Sequence, residues 1–386
     1  VTKKFSSHNT KNIVLLGIGH TNAHILKHWA HEPIADCRLI CLSNFPTATY
    51  SGMLPGTLGR QFRREEMRIE LAPLVAAAGA ELLLGDTTGL DLHRGEIQIA
   101  EHAPVRFDVL SIGVGSMPAG WQQQMDSPLV VPIKPMQTFL ERLDAHLQQV
   151  FDRAESSSPT EHPVRIAIVG GGVAGVEITL CLQQQIGQRR VDHPWSIEIF
   201  TSRDQVADGM HGRSVQRLTQ ILADRDISVH FRHRVSGVGS TGIRTEDGRY
   251  YPADCVIWAT GATAPPVLGK LGLETDERGF VATTNTLQSL TDPRIFAVGD
   301  SGTIVTSPAP KAGVYAVRQC PILWHNLRAL IDGRPLRTYQ PQGDFLKIIN
   351  TGDDKALLEY KWLTFHARWC WQLKTWIDKS FVAKFQ

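Results

Sequence analysis

The sequence is poor in cysteine and has no excess charge of either sign. Six cysteines are scattered over 386 residues with no C-x-x-C pair, so neither a disulfide framework nor a structural zinc site is expected. A reducing, cytoplasmic compartment fits. Lysine plus arginine number 40 against 38 aspartate plus glutamate, a formal net charge of +2, which argues against nucleic acid as a partner. The longest apolar runs are too short to cross a bilayer. The opening residues, VTKKFSSHNTKN, lack the apolar core of a signal peptide and read as a polar tail.

What the chain has is length and punctuated apolar runs. At 386 residues it exceeds what one core usually supports, so two or more domains are expected. NIVLLGIGHTNAHILKHWAH reads as a buried strand, a glycine turn and a helix, with CRLICLS as the next strand. After the amphipathic MQTFLERLDAHLQQVFDRAE and the linker-like SSSPTEHP, VRIAIVGGGVAGVEITLCLQQQ repeats that unit. The fold class is α/β, with two Rossmann-like dinucleotide-binding domains. We place the first, discontinuous domain at 12–120 and 285–340, a connecting helix and linker at 121–159, the inserted domain at 160–284, and a small β-hairpin and helix module at 341–386.

The second turn carries Gly170, Gly172 and Gly175 between strand and helix. Dinucleotide binding needs glycines there for a tight turn, for backbone approach to a pyrophosphate and for helix packing. The bland alternative is a tight turn with nothing bound. The next strand, SIEIFTSRD, ends on Thr201 and Arg203 where an acid would grip a ribose diol. A hydroxyl and a guanidinium suit a 2′-phosphate, so NADPH is favoured over NADH, with a solvated arginine as the competing reading.

The first turn keeps Gly17 and Gly19 but has Asn22 for the third small residue and Ser43 for the acid. His20 and His24 are spaced i, i+4, yet no third ligand is apparent and no metal is expected. Two strands ending in glycine turns, FDVLSIGVGSMP with Gly113 and CVIWATGATAPP with Gly261, look like crossings between nucleotide domains. TDPRIFAVGDSG then puts Gly299 and Asp300 at a strand's carboxyl end, where ligands of open α/β sheets collect. The helix after SPAPKAG begins beside the same ligand.

At these residues the chain resembles the two-dinucleotide-binding-domain flavoproteins of the pyridine nucleotide-disulfide oxidoreductase superfamily: type II NADH dehydrogenases, sulfide:quinone oxidoreductases and flavocytochrome c sulfide dehydrogenase flavoproteins. TYSGMLPG and PKAGVYAVRQ resemble still more closely the flavoprotein domain found fused to selenide, water dikinase. The resemblance implies FAD and NAD(P)H as cofactors, with Asp300 on the ribityl hydroxyls and the loop from Tyr50 to Pro55 beside the isoalloxazine. It further implies that the helix starting at Lys311, Ala312, Gly313 and Val314 aims at the pyrimidine end. Glu177 matches a carboxylate near flavin and nicotinamide, or is a helix N-terminal acid stabilised by the dipole.

Departures from the family leave other readings open. Asn22 and Ser43 remove the usual ribose acid, which suits a nucleotide-binding sensor or partner domain without turnover. Cys37 and Cys41 share a strand about 13 Å apart, too far for a redox disulfide. Cys320 either approaches the flavin, as in a sulfide- or selenide-type oxidase coupled to quinone, or packs in the core. Leu358, Trp362, Phe365, Trp369, Leu373, Trp376 and Phe381 are expected on one helical stripe beside Lys361, Arg368, Lys374, Lys379 and Lys384. Such a helix lies on the inner face of a membrane or covers a dimer or domain surface. The leading expectation is an FAD-dependent NAD(P)H oxidoreductase passing electrons to a quinone or small-molecule acceptor.

Overall fold

The computed structural model describes residues 10–155, 163–189 and 193–386. The polar tail at 1–9 and most of the SSSPTEHP linker lie outside the described residues.

Two five-stranded sheets carry the fold, and every strand pair in them is parallel. The first runs in the order Ile295–Ala297, Val109–Ile112, Lys11–Leu16, Cys37–Ser43, Glu81–Leu84. The second runs Val130–Pro132, Cys255–Trp258, Val164–Val169, Trp195–Phe200, Ser228–His230. The first sheet is therefore discontinuous in sequence, and the second is inserted into it. Continuous apolar runs such as Ile13–Leu16 suit strands buried on both faces. Val130–Pro132, inside the stretch read as connection, joins the second sheet.

The His20–His31 helix packs against the Gly313–Ile331 helix and buries Ile25, Leu26 and Trp29, worth about 1.5–3 kcal/mol per fully buried large side chain. The helix Met136–Glu155 buries Phe139, Leu143, Leu147 and Val150 at helical spacing and lies against the second sheet.

The C-terminal module differs from the expected hairpin and long helix. Lys347–Asn350, Ala356–Tyr360 and Leu363–Ala367 form a three-stranded antiparallel sheet before the Arg368–Val382 helix. Leu358 and Phe365 are thus cross-strand partners, not members of a helical stripe. The segment alternates polar and apolar residues, and Lys361, at φ +52°, turns the chain between its strands. The tryptophans lie open, as they would in a module seated on a surface, but Lys374, expected on the charged face, turns inward. Lys374 and Asp378 are buried, whereas Trp362, Trp369 and Trp376 are 64%, 48% and 68% exposed.

His24 joins the two ends of the chain, its ring edge-on to Phe381 and Phe385 at 5.5 and 5.0 Å. Burial, helped by Lys384 and the neighbouring cations, pushes its imidazole down to about 4 from an ordinary 6.5. Between those values the unfolded chain binds the proton more readily, so stability falls as pH drops from 6.5 towards 4. The full shift would represent ~3 kcal/mol, which solvent screening at this partly exposed ring cuts to about 1–2 kcal/mol. His24→Leu is expected to flatten the melting temperature over that window; an unchanged acid slope would rule His24 out as its source.

Candidate functional site

The carboxyl ends of all five strands of the first sheet open into one cavity of about 530 Å³. Its wall runs from Asp86 and Thr87 at one sheet edge, past Ser43, Gly17 and Gly113, to Gly299 and Asp300 at the other. At the centre is the first glycine turn. Gly17 has φ +77°, and a Cβ there would meet the Gly113 carbonyl at 2.8 Å, so the crossover at Gly113 sits directly on the turn. Gly19 caps the His20–His31 helix without a side-chain bond or an acid in the first turn. Free N–H groups and the dipole's positive end thus face the cavity, as a pyrophosphate requires.

Asn22 and Ser43 look different in three dimensions. Asn22 is fully buried and outside the cavity wall, donating to the Gly17 carbonyl at 2.7 Å and accepting from the Ser111 hydroxyl at 2.8 Å. It is a clamp on the turn and not a ligand contact. Ser43 does line the cavity, its hydroxyl donating to the Phe45 carbonyl at 2.8 Å. The acid absent at Ser43 has a counterpart one strand further out, in Asp86. Sequence reasoning missed it, although ELLLGD places an aspartate directly after an apolar run.

At the other edge a chain of polar groups was equally invisible in the sequence. Lys134 donates to the Ser116 hydroxyl at 2.7 Å, and Ser116 donates to Asp300 at 2.7 Å. Burial pulls the Lys134 ammonium down, and Asp300 opposes that. His20 shares this wall; burial lowers its imidazole, with Asp300 opposing and Lys134 assisting. The buried Thr49 hydroxyl, also in the wall, has no partner among the described residues. These features fit an anionic dinucleotide bearing several hydroxyls. FAD would be held by the Gly17–His20 turn, Asp86, Ser116 and Asp300.

The remaining expected contacts divide. Thr49 and Ser51 line the cavity, but Tyr50 and Pro55 do not; Tyr50 stacks on Phe381 at 4.4 Å and donates to Asp378 at 3.1 Å. Of the segment at Lys311 to Val314, Gly313 lines the cavity while Ala312 and Val314 do not. Lys311 turns back to the Gly302 carbonyl and the Thr303 hydroxyl at 2.6 and 2.9 Å, over the Phe280 ring. Burial pulls it down to about 8. Its protein partners occupy the ammonium.

Glu177 lies beneath the C-terminal module and accepts from the Asn350 N–H at 2.8 Å. Burial pushes its carboxyl up, with Lys374 opposing. Lys374 donates to Asp378 at 3.0 Å and to the Gly52 carbonyl at 2.9 Å. Burial alone would lower Lys374, but Glu177 and Asp378 outweigh it and hold the ammonium up. The module thus seals the Tyr50–Met53 loop with a buried charge cluster. Cys320 is 3% exposed in the core, and burial pushes its thiol up to about 12. It carries neither thiolate nor access. Cys320→Ser is expected to leave flavin reduction by NAD(P)H unchanged and to lower the melting temperature by a few degrees; slowed reduction would reverse that reading.

The second glycine turn is tighter than the first. A Cβ on Gly175 would overlap the Gly170 carbonyl oxygen, and one on Gly170, at φ +123°, would overlap that of Ala259. Gly172 and Gly261 face open space. Thr201 is buried against Gly171, and its hydroxyl accepts from the Arg203 N–H at 3.2 Å. The Arg203 guanidinium is largely exposed, with Asp208 at 3.5 Å. The crossovers meet: Met117–Pro118 pairs with Ala262–Thr263, and the Ala119 N–H donates to the Gly261 carbonyl at 2.6 Å. Each crossover begins beside its own turn, Gly113 on Gly17 and Ala259 on Gly170, so their pairing ties the two turns together. Among the described residues no metal-binding group of acids, histidines and cysteines exists.

Known proteins agree with this geometry. The chain is 27% identical over 317 residues to the demethylphylloquinone reductase NdbB of Synechocystis, covering 76% of this chain and 73% of that protein. It is 25% identical over 206 residues to the type II NADH:quinone oxidoreductase of Haemophilus influenzae, covering 49% and 46%. Among solved structures, the sulfide:quinone oxidoreductase of Aquifex aeolicus superposes with a TM-score of 0.80 at 19% identity, over 97% of this chain and 91% of that one. NDH2 of Plasmodium falciparum, solved with NADH, also gives 0.80, at 12% identity and 97% coverage of both. The family model for pyridine nucleotide-disulphide oxidoreductases matches residues 11–319, from the first strand to the helix after Asp300. The chain belongs to that family and is an FAD-dependent NAD(P)H oxidoreductase.

Proposed function

We propose that the chain oxidises NADPH and passes the electrons through FAD to a quinone. Bound FAD supplies the hydride acceptor and the store of two electrons. The observation that carries the reading is the pairing of the two crossovers, each of which begins beside one of the glycine turns. In this reading the Gly170–Gly175 turn holds the nucleotide's pyrophosphate, and Thr201 with Arg203 receives the 2′-phosphate. Asp300, steadied by Ser116 and Lys134, orients the flavin's ribityl chain. The Tyr50–Asp378–Lys374 cluster fixes the loop that covers the flavin.

Quinone as acceptor is supported by the names of two relatives, a demethylphylloquinone reductase and a NADH:quinone oxidoreductase. No helix among the described residues is long and apolar enough to cross a membrane. Trp362, Trp369 and Trp376, with Lys361 and Arg368 nearby in sequence, suit seating on an anionic surface where a quinone resides. The burial of Cys320 in the core argues against the sulfide- or selenide-type alternative.

Anaerobic stopped-flow mixing with NADPH and NADH tests the donor half. Flavin bands bleached by neither nucleotide would sink the proposal. Arg203→Ala is expected to raise the KM for NADPH about tenfold and leave that for NADH unchanged; a parallel change in both would remove the 2′-phosphate role.

A further inference from the structure

A second cavity, of about 470 Å³, opens behind the Leu54–Leu58 helix, between the loop that follows it and the Met136–Glu155 and Val173–Gln188 helices. Arg60, Arg63 and Arg64 line it, faced by Asp144 and Gln185. Its acids are already engaged. Arg64 and Arg189 both donate to the Asp144 carboxylate, and the Gln185 amide does so at 2.9 Å. Glu66, also in the wall, takes Lys379 at 2.8 Å and the Arg63 backbone N–H at 2.7 Å. Two acids thus stand against four arginines and a lysine. Arg60 and Arg63 are exposed, and the Arg63 guanidinium comes no nearer to Glu66 than 3.8 Å.

A second observation points to a ligand. Gln185 is only 5% exposed, yet its Oε1 has no hydrogen-bond partner among the described residues, and neither does the buried Nε of Arg189. Buried polar atoms are normally satisfied, so the acceptor left open on Gln185, a residue of the cavity wall, calls for a donor. The cationic wall adds a demand for anionic oxygens, which guanidinium groups bind in pairs.

We propose that this cavity binds a small phosphorylated molecule with a hydroxyl donor, its phosphate on Arg60 and Arg63 and its hydroxyl on the Oε1 of Gln185. The site is distinct from both nucleotide turns. It adjoins the first cavity: the Thr57 hydroxyl in its wall bonds the Met53 carbonyl at 2.9 Å, in the loop whose Ser51 lines that cavity. Gln61, also in the wall, accepts from the Asn350 amide at 2.6 Å in the C-terminal module.

The test is calorimetric titration of the FAD-loaded protein, with NADP⁺ saturating, using glycerol 3-phosphate, inorganic phosphate and citrate as probes. Glycerol 3-phosphate is expected to saturate one site per chain. The Arg60→Gln, Arg63→Gln double variant, which spares the Asp144 pairs, should weaken it by about tenfold or more. Gln185→Met should erase the preference for glycerol 3-phosphate over inorganic phosphate while leaving phosphate binding in place. Phosphatidylglycerol vesicles separate the two sources of such a group. Vesicle binding that needs Arg60 and Arg63 and is displaced by glycerol 3-phosphate identifies a lipid headgroup, and binding of the soluble probe alone identifies a free metabolite. Citrate binding more tightly than either phosphate overturns the phosphate assignment. Absence of saturable binding below about 10 mM, or binding indifferent to all three substitutions, overturns the site.

Discussion

Purified Gly175→Ala is expected to keep its flavin bands and to lose their bleaching by NADPH, with the apparent KM rising at least ~100-fold. The reason is steric. The added methyl would overlap the Gly170 carbonyl oxygen, and that oxygen cannot withdraw because Gly170 is itself pressed against Ala259, just past the neighbouring strand Cys255–Trp258. Helix and strand must therefore separate, which moves the helix N-terminus off the position a pyrophosphate needs. The first sheet and its cavity share no residue with this turn, so flavin content acts as an internal control. Normal NADPH reduction would show that the turn tolerates a side chain and that nucleotide binds elsewhere; loss of flavin as well would show that the domain had unfolded.

Asp300→Ala should purify nearly colourless and bind added FAD at least ~100-fold more weakly, about 2.7 kcal/mol. Two losses combine. The substitution removes the acceptor assigned to the ribityl hydroxyls, and it deprives Lys134 of the carboxylate that holds its buried ammonium up. Asp300→Asn separates them, since it keeps an acceptor and removes only the charge; we expect about a tenfold loss. Adding Lys134→Met to Asp300→Asn should recover part of that affinity if the unpaired ammonium is the cost. Fluorescence titration of the apoprotein with FAD reads all three variants, and a yellow, tightly loaded Asp300→Ala would remove Asp300 from the flavin site.

Local chemistry made much of this legible in advance. A strand, a glycine turn and a helix are specified within about twenty residues, because steric limits at the turn and apolar periodicity along the helix are local properties. That is why both turns and the strand before Asp300 could be read directly. The roles of single side chains could not. Asn22 looked like an eroded glycine position, and only the Val109–Ile112 strand beside it shows that the amide clamps Gly17 to Ser111. Lys311 and Cys320 were placed by their helix, whereas their surroundings turned one to Gly302 and buried the other.

The sequence by itself determined the α/β class, the two nucleotide turns and the discontinuity of the first domain. Tertiary structure alone decided which polar groups meet. Lys134, Ser116 and Asp300 come from three separate stretches, and Tyr50, Lys374 and Asp378 from two more than 300 residues apart. It also decided the direction of the last helix, where Lys374 and Asp378 turn inward and the tryptophans outward. Periodicity gives the face of a helix but not its partner. The buried side was set by Glu177 and Tyr50, charged and polar neighbours that no local pattern contains.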